Sequence, residues 1–348
     1  MTFLNFFKMK TTILKSIATL LVAVSMAAAA YAKISTPRIF SDNMILQRDM
    51  PVKIWGTADP NAMVNVDFGN QNVSVKSDGW GFWTATFAPM PACKTPRDIV
   101  ISENGSISKT IRDVLVGEVW VLGGQSNMEW TLSGSPKLLN DVKARADYPQ
   151  IRYFRQYGLM DYSNGPKSDV NDSGKWLTLS KGANFGVCSA VGFLFAEILS
   201  KDLDMPVGLI QTAVGGTSMT AWISKNNFEC SDYLKKFKAD YNAAMAKYDY
   251  NKAIADWNSQ NEAYKKACAE AKKAGKPAPE MPFKLRYCKP NPETCYDTFR
   301  SPSGHFNTKV APLGKFGVRG VLWYQGEADA QGDSLKNFRS TFSAVVKS

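Results

Sequence analysis

From Lys33 to about Asp113 short apolar runs alternate with punctuation. VKIWG, MVNVDFG, NVSV, GFWTATF, DIVIS and SISKTIRDV are separated by Asp59-Pro60-Asn61, Ser77-Asp78-Gly79 and Glu103-Asn104-Gly105. β-rich runs of this length between turn formers predict an all-β sandwich over residues 33–113. It carries no catalytic signature of its own, so packing against the following domain is its expected role, with sugar binding as the alternative.

After Val114 the pattern changes. An apolar strand over Glu118 to Leu122 runs into Gly123-Gly124-Gln125-Ser126. Residues 190–203 place Val191, Leu194, Phe195 and Ile198 at the spacing of one buried helical face, and Pro206 stops the helix. A strand over 207–212 leads into Gly215-Gly216-Thr217-Ser218, and a third over 317–324 into Gln325-Gly326-Glu327. Strand, polar loop and helix in repetition predict a parallel α/β sheet over 114–348. Between about 229 and 300 lies a Lys-, Ala- and Tyr-rich interruption. Apolar residues at Leu234, Phe237, Tyr241, Met245 and Tyr248, then Ile254, Trp257, Tyr264 and Cys268, predict long amphipathic helices ending near Gly275-Lys276-Pro277. Their charged side reads as a solvated face, and a lid or partner-binding arm is the alternative. Leu335, Phe338, Phe342, Val345 and Val346 predict a last helix over 334–347.

A chain of 348 residues with 45% hydrophobic content is long enough for two domains and too apolar for intrinsic disorder. Residues 1–32 read as a signal peptide: Lys8, Lys10 and Lys15, an apolar run from Ile17 to Ala30, and Ala30-Tyr31-Ala32 as the cleavage site. Export to the periplasm or the extracellular space follows, with no membrane span after its removal. Losing those three lysines lowers the formal charge from +11 to +8. The surplus is scattered, without the basic stripe that nucleic-acid binding needs. One histidine among all residues excludes HExxH zinc sites, two-His iron sites and Cys/His zinc fingers. No metal and no cofactor is expected. In an oxidising compartment some of the six cysteines would pair, and Cys288 with Cys295 is the closest couple in sequence.

In an open parallel sheet, ligands bind beyond the carboxyl ends of the strands. GGQSN, AVGGTS and YQGEAD all stand at such ends. Ser126 follows a buried strand at a Gly-Gly turn, where its hydroxyl projects and backbone N–H groups can face an oxyanion. A helix N-cap serine is the plain alternative. Met128 stands where the G-x-S-x-G elbow of α/β-hydrolases needs glycine, and no Gly-Lys-Ser/Thr follows to make a phosphate-binding loop.

Four blocks, VWVLGGQSNMEW (119–130), FGVCSAVGFLFAEIL (185–199), PVGLIQTAVGGTSMTAW (206–222) and FGVRGVLWYQGEADA (316–330), resemble the sialate O-acetylesterase family of the SGNH-hydrolase superfamily. The resemblance implies a three-layer α/β/α fold behind a small β-sandwich. It also implies removal of O-acetyl groups from sialic acids or related acetylated sugars by a serine esterase, without a cofactor. By position, Ser126 resembles the nucleophile and its own N–H the first oxyanion donor. Gly215 and Gly216 match the block that supplies a second backbone donor, Gln325 matches the side-chain donor, and Glu327 would orient its loop.

One feature of the superfamily is missing. Its enzymes take their base from an Asp-x-x-His near the C-terminus, and no such motif occurs here. The neighbours of His305, namely Phe306, Val310 and Leu313, predict a helix docked on the sheet, which makes His305 a core residue rather than a substitute base. The missing base and the final helix are both explained if the remaining strands and the Asp-His pair lie beyond Ser348. A sheet cut short there would show an unpaired edge and an uncovered apolar face. Trp130, Trp222 and Trp323, beside the motifs, are candidates for sugar stacking or for the core. Two other functions fit the same residues: a non-catalytic glycan-binding protein that kept the pocket without its base, and a basic surface protein that binds acidic glycans through the helical arm.

Overall fold

The N-terminal runs become strands with one buried side each. They are β1 (Ile45–Gln47), β2 (Val52–Thr57), β3 (Met63–Phe68), β4 (Gln71–Lys76), β5 (Phe82–Phe87), β6 (Cys93–Glu103) and β7 (Ser106–Gly124). This is a computed structural model describing residues 34–348, apart from 146, 157–164, 171–173, 283, 286–288 and 293–298. The expected signal peptide and the Cys288–Cys295 couple lie outside the described residues. Along β2 and β3 the period is two: Val52, Ile54, Val64, Val66 and Phe68 are buried, while Lys53 and Met63 are exposed. The antiparallel pair β2 and β5 packs on the sheet β4-β3-β6-β7 around Ile54, Phe87, Val66 and Ile101.

Strand β7 runs for 19 residues without a break, through the expected boundary at 113–114. Its first half pairs antiparallel with β6; at Asp113 the backbone turns left-handed (φ 55°), and beyond it Leu115–Gly117 pair in parallel with β1. From Val114 on, nearly every residue is buried, which is why VLVGEVWVL reads as a continuous apolar run rather than an alternation. Glu118 inside that run accepts a bond from Arg48 Nε at 2.7 Å.

The chain then forms α1 (Ser126–Glu129), α2 (Pro136–Ala144), β8 (Tyr148–Arg155), β9 (Lys175–Leu179), α3 (Ala190–Leu203), β10 (Val207–Gln211), α4 (Asp232–Met245), α5 (Tyr250–Lys273), β11 (Gly320–Tyr324), α6 (Gly332–Lys336) and α7 (Phe338–Val346). Strands β8, β10, β7 and β11 are parallel neighbours in that order, and β9 closes one side antiparallel to β8. On one face Leu122, Leu209 and Tyr153 pack with Met128, Val142 and Phe193 from α1, α2 and α3 and with Leu132 from the turn between α1 and α2. On the other lie the turns at Met219–Trp222 and Lys225–Cys230, the segment 299–318 and α7. The fold is α/β in three layers, as expected.

The buried face of α3 differs from the expected one. Ala190, Gly192, Phe193, Ala196 and Glu197 face inward, while Val191 and Ile198 are 41% and 60% exposed. Close approach explains this: a Cβ on Gly192 would come within 2.3 Å of Leu122 Cδ1, so small residues meet the sheet. Glu197 is tolerated inside because Arg145 Nε and Nη2, Tyr148 Oη and Lys201 Nζ all donate to its carboxylate at 2.6–3.0 Å.

In the 229–300 stretch, Ser231 caps α4 and Asp249 caps α5, each accepting a backbone N–H three residues on. Leu234 and Tyr241 of α4 are buried, whereas α5 has no buried residue and keeps its expected solvated side. Among the described residues β11 pairs with β7 alone. Beside it Val121, Trp222, Val310, Trp323 and Phe342 line an apolar groove of about 450 Å³. No helix of the described residues is long and apolar enough to cross a membrane.

Candidate active site

The three strand-end loops come together as the carboxyl-end rule requires. Gly124, at φ 125°, lets the end of β7 press on β11: a Cβ there would lie 2.1 Å from Tyr324 O. The next residue, Gln125, is buried and joins the first loop to the third twice. Its N–H donates to Tyr324 O at 3.0 Å, and its Oε1 accepts the N–H of Ala328 at 3.2 Å. Ser126 and Asn127 then open α1 and are exposed. Asn127 Nδ2 donates to Glu327 Oε1, so Glu327 touches the residue next to Ser126.

The second loop lies alongside the first. The N–H groups of Thr212 and Ala213 donate to Leu122 O, and that of Val214 to Gly124 O, at 3.0–3.1 Å. This carries Gly215 to the serine, where an ideal Cβ would sit 3.4 Å from Ser126 Cβ and 3.1 Å from Glu129 Oε2. The N–H of Gly215 donates to Glu129 Oε2 at 2.7 Å. Gly216 follows, exposed and left-handed (φ 79°).

Gln325 links the third loop to the second. Its Nε2 donates to Thr217 O at 3.1 Å and to Asp329 Oδ2, and its Oε1 is buried with no partner among the described residues. Asp329 Oδ2 also accepts the N–H of Met219 at 2.9 Å. Burial raises the Asp329 carboxyl above its ordinary range, opposed by the Met219 N–H, the Gln325 amide and the charge of Arg300.

The five expected site residues, Ser126, Gly215, Gly216, Gln325 and Glu327, thus belong to one bonded cluster of loops. Gln125, Glu129 and Asp329 were not singled out from the sequence. All three stand inside the quoted blocks, as polar residues within three positions of Ser126 or two of Glu327, and that proximity is the signal that would have found them.

His305 lies elsewhere. It is 1% exposed, stacked on Trp222 at 5.1 Å, with both ring nitrogens lacking partners among the described residues. Burial, helped by the charge of Lys309, pushes its pKa down to about 3, so the ring is neutral at pH 7. Trp222 is buried and meets Trp323 edge to face at 5.7 Å in the layer opposite α3, whereas Trp130 is 56% exposed. Among the described residues no three His, Cys, Asp or Glu side chains are grouped to hold a metal ion, and Cys93, Cys188, Cys230 and Cys268 are free thiols.

A family model described as carbohydrate esterase, sialic acid-specific acetylesterase, matches residues 116–250, which contain the first two loops. The sialate O-acetylesterase of Mus musculus is 27% identical over 319 residues, covering 84% of this chain and 51% of its own length. The human sialate O-acetylesterase is 24% identical over 324 residues, covering 88% and 51%. A carbohydrate acetylesterase from Xanthomonas citri superposes with a TM-score of 0.66 at 26% identity, covering 90% of this chain and 56% of that one. The fold and these matches make the chain similar to carbohydrate esterases of the α/β type. More narrowly, the chain is similar to sialate O-acetylesterases, and residues 116–250 match the sialic acid-specific acetylesterase model. It spans about half the length of the curated relatives it matches.

Proposed function

We propose that the chain carries the acyl-transfer site of a serine esterase that removes O-acetyl groups from sialic acid or related acetylated sugars. One observation carries this reading: an exposed Ser126 hydroxyl at a strand end, with the Gly215–Gly216 loop packed against it and the Gln325–Asp329 loop bonded to both. In the first step Ser126 Oγ bonds to the acetyl carbonyl carbon and gives its proton to a base. The carbonyl oxygen takes the negative charge of the tetrahedral intermediate, and the sugar oxygen leaves protonated. Water then releases acetate by the reverse sequence. Backbone N–H groups of Ser126 and Gly216 are the donors we assign to the oxyanion, because the N–H of Gly215 is engaged by Glu129. Gln325 spends its amide hydrogens on Thr217 O and Asp329, so in this arrangement it holds the second and third loops in register. Donation to the oxyanion would require it to release one of those contacts.

The experiment is acetate release from 9-O-acetylated sialic acid and from acetylated neutral sugars. Ser126→Ala abolishes it if the reading is right, and unchanged turnover in that variant removes Ser126 from the reaction.

A specific observation favours a second reading. The only histidine of the sequence is buried against Trp222, away from solvent and without a polar partner among the described residues. Deprived of its base, a serine triad keeps only roughly 1,000- to 10,000-fold acceleration over water. On this reading the chain by itself binds acetylated glycan without appreciable turnover, and glycan binding with no acetate release is its signature.

A further inference from the structure

Trp130 follows Ser126 by one helical turn. Its N–H donates to Ser126 O at 2.8 Å, and residues in that relation share a face with their Cβ atoms about 5–6 Å apart. The flanking apolar residues Met128 and Leu132 are 2% and 0% exposed, yet the indole between them is 56% exposed. It is also fixed. The carbonyl of Trp130 accepts the N–H of Ala190 at 2.8 Å, and its Nε1 donates to Ser135 Oγ at 3.1 Å. Against Gly134 the fit is close: a Cβ there would fall 2.7–2.9 Å from Cε2, Cζ2 and Nε1 of the indole. Trp222 and Trp323 pack against one another in the opposite layer, so of the three tryptophans beside the motifs Trp130 is the exposed one.

We infer that Trp130 is the platform on which the pyranose ring of the acetylated substrate stacks, directing its O-acetyl group at Ser126. A residue anchored by two backbone bonds, with its ring held by Ser135 and Gly134, loses little freedom on binding, and its apolar face matches the C–H face of a pyranose. Asn127 and Glu129 neighbour it in the chain and Glu327 is bonded to Asn127; their remaining oxygen acceptors are ones that sugar hydroxyls could use. This assignment rests on the esterase reading of Ser126 for its orientation, but binding tests it separately from chemistry.

The test uses the full chain carrying Ser126→Ala, so that ligand is not consumed. 9-O-acetyl-N-acetylneuraminic acid and an acetylated methyl xylopyranoside are titrated by calorimetry and against 15N-tryptophan-labelled protein, with the Trp130 indole resonance assigned from its loss in Trp130→Phe. At least one sugar is expected to bind and to shift that resonance. Trp130→Leu should weaken binding about 3- to 10-fold, the range that one aromatic stack supports, with Trp130→Phe in between. The sugar that shows the loss identifies the ring. Equal affinity in Trp130→Leu, an indole resonance unmoved at saturation, or no binding of either sugar overturns the platform. Acetate release by the unmutated chain without a Trp130 effect sinks this inference alone. Trp130-dependent binding without acetate release sinks the esterase reading alone.

Discussion

The carboxylate of Glu129 accepts the backbone N–H of Gly215 across 2.7 Å, tying the loop after β10 to the residue three places beyond Ser126. A bond to an ionised acceptor contributes about 1.5–3 kcal/mol. This one holds a segment that itself touches the serine. Glu129→Ala is therefore expected to lower acetyl-ester hydrolysis by roughly tenfold or more through kcat, and Glu129→Gln to keep most of it because the amide oxygen accepts the same N–H. A faster Glu129→Ala enzyme would mean that the carboxylate withholds a donor the transition state needs.

Gly215→Ala probes the same contact from the other side. The φ of Gly215 is not in the left-handed region, so an alanine is allowed by the backbone. Its methyl would sit 3.1 Å from Glu129 Oε2 and 3.4 Å from Ser126 Cβ. Activity should fall with little change in melting temperature, since the crowding is confined to the loop surface. A large drop in both would place the effect in the fold.

Asp329 joins Met219 to Gln325 from a buried position. Asp329→Ala leaves the Met219 N–H and the Gln325 amide without their acceptor and should cost about 1–3 kcal/mol, read as a lower urea midpoint. Asp329→Asn should restore most of it. Because the carboxyl is raised in the fold, the native state holds its proton longer than the unfolded chain does. Its contribution to stability therefore weakens as pH climbs out of the ordinary carboxylate range. Relative to the parent, Asp329→Asn should gain stability across that rise; parallel pH–stability curves would contradict this.

Acid sensitivity should arrive in two steps. His305 is neutral and depressed to about 3, so the unfolded chain takes up a proton first, and stability falls as pH drops below the ordinary histidine value of 6.5. His305→Leu should flatten that segment of the curve. Glu197 is held at about 2, chiefly by its bonds to Arg145 against the cost of burial, with Tyr148 and Lys201 adding to it. Its contribution, on the order of 2–3 kcal/mol, is present above the ordinary glutamate range and disappears as pH falls toward 2. Arg145→Ala should remove most of this second step and leave the first untouched.

Much of the architecture is legible along the chain. VKIWG, MVNVDFG and GFWTATF are strands because each has one apolar side, and 190–203 is a helix within the predicted bounds. Strands β8 and β9 escape such a reading. In YPQIRYFR a buried Arg152 interrupts the pattern, tolerated because Asp113 grips its guanidinium at 2.9 and 3.1 Å from across the sheet and Pro149 O, Asn43 and Thr178 accept from it as well. The face of α3 is misread for a related reason. Gly192 and Glu197 look like polar-side residues until Leu122 and Arg145 are seen to need them. At the site, Ser126, Gly215 and Gln325 stand out by glycine-rich context. The work of Glu129, Gln125 and Asp329 consists of bonds between loops some 80 to 200 positions apart, and single-chain spacing does not encode those.

Strand β7 begins as a strand of the β-sandwich and ends at the turn that carries Ser126. Like a rail fastened at both ends, it leaves no hinge about which the first hundred residues could swing free of the parallel sheet. Trimming the protein back to residue 114 would start it in mid-ladder and take away β1, which lies along the same rail. The N-terminal sandwich is in this sense the foundation of the serine's address.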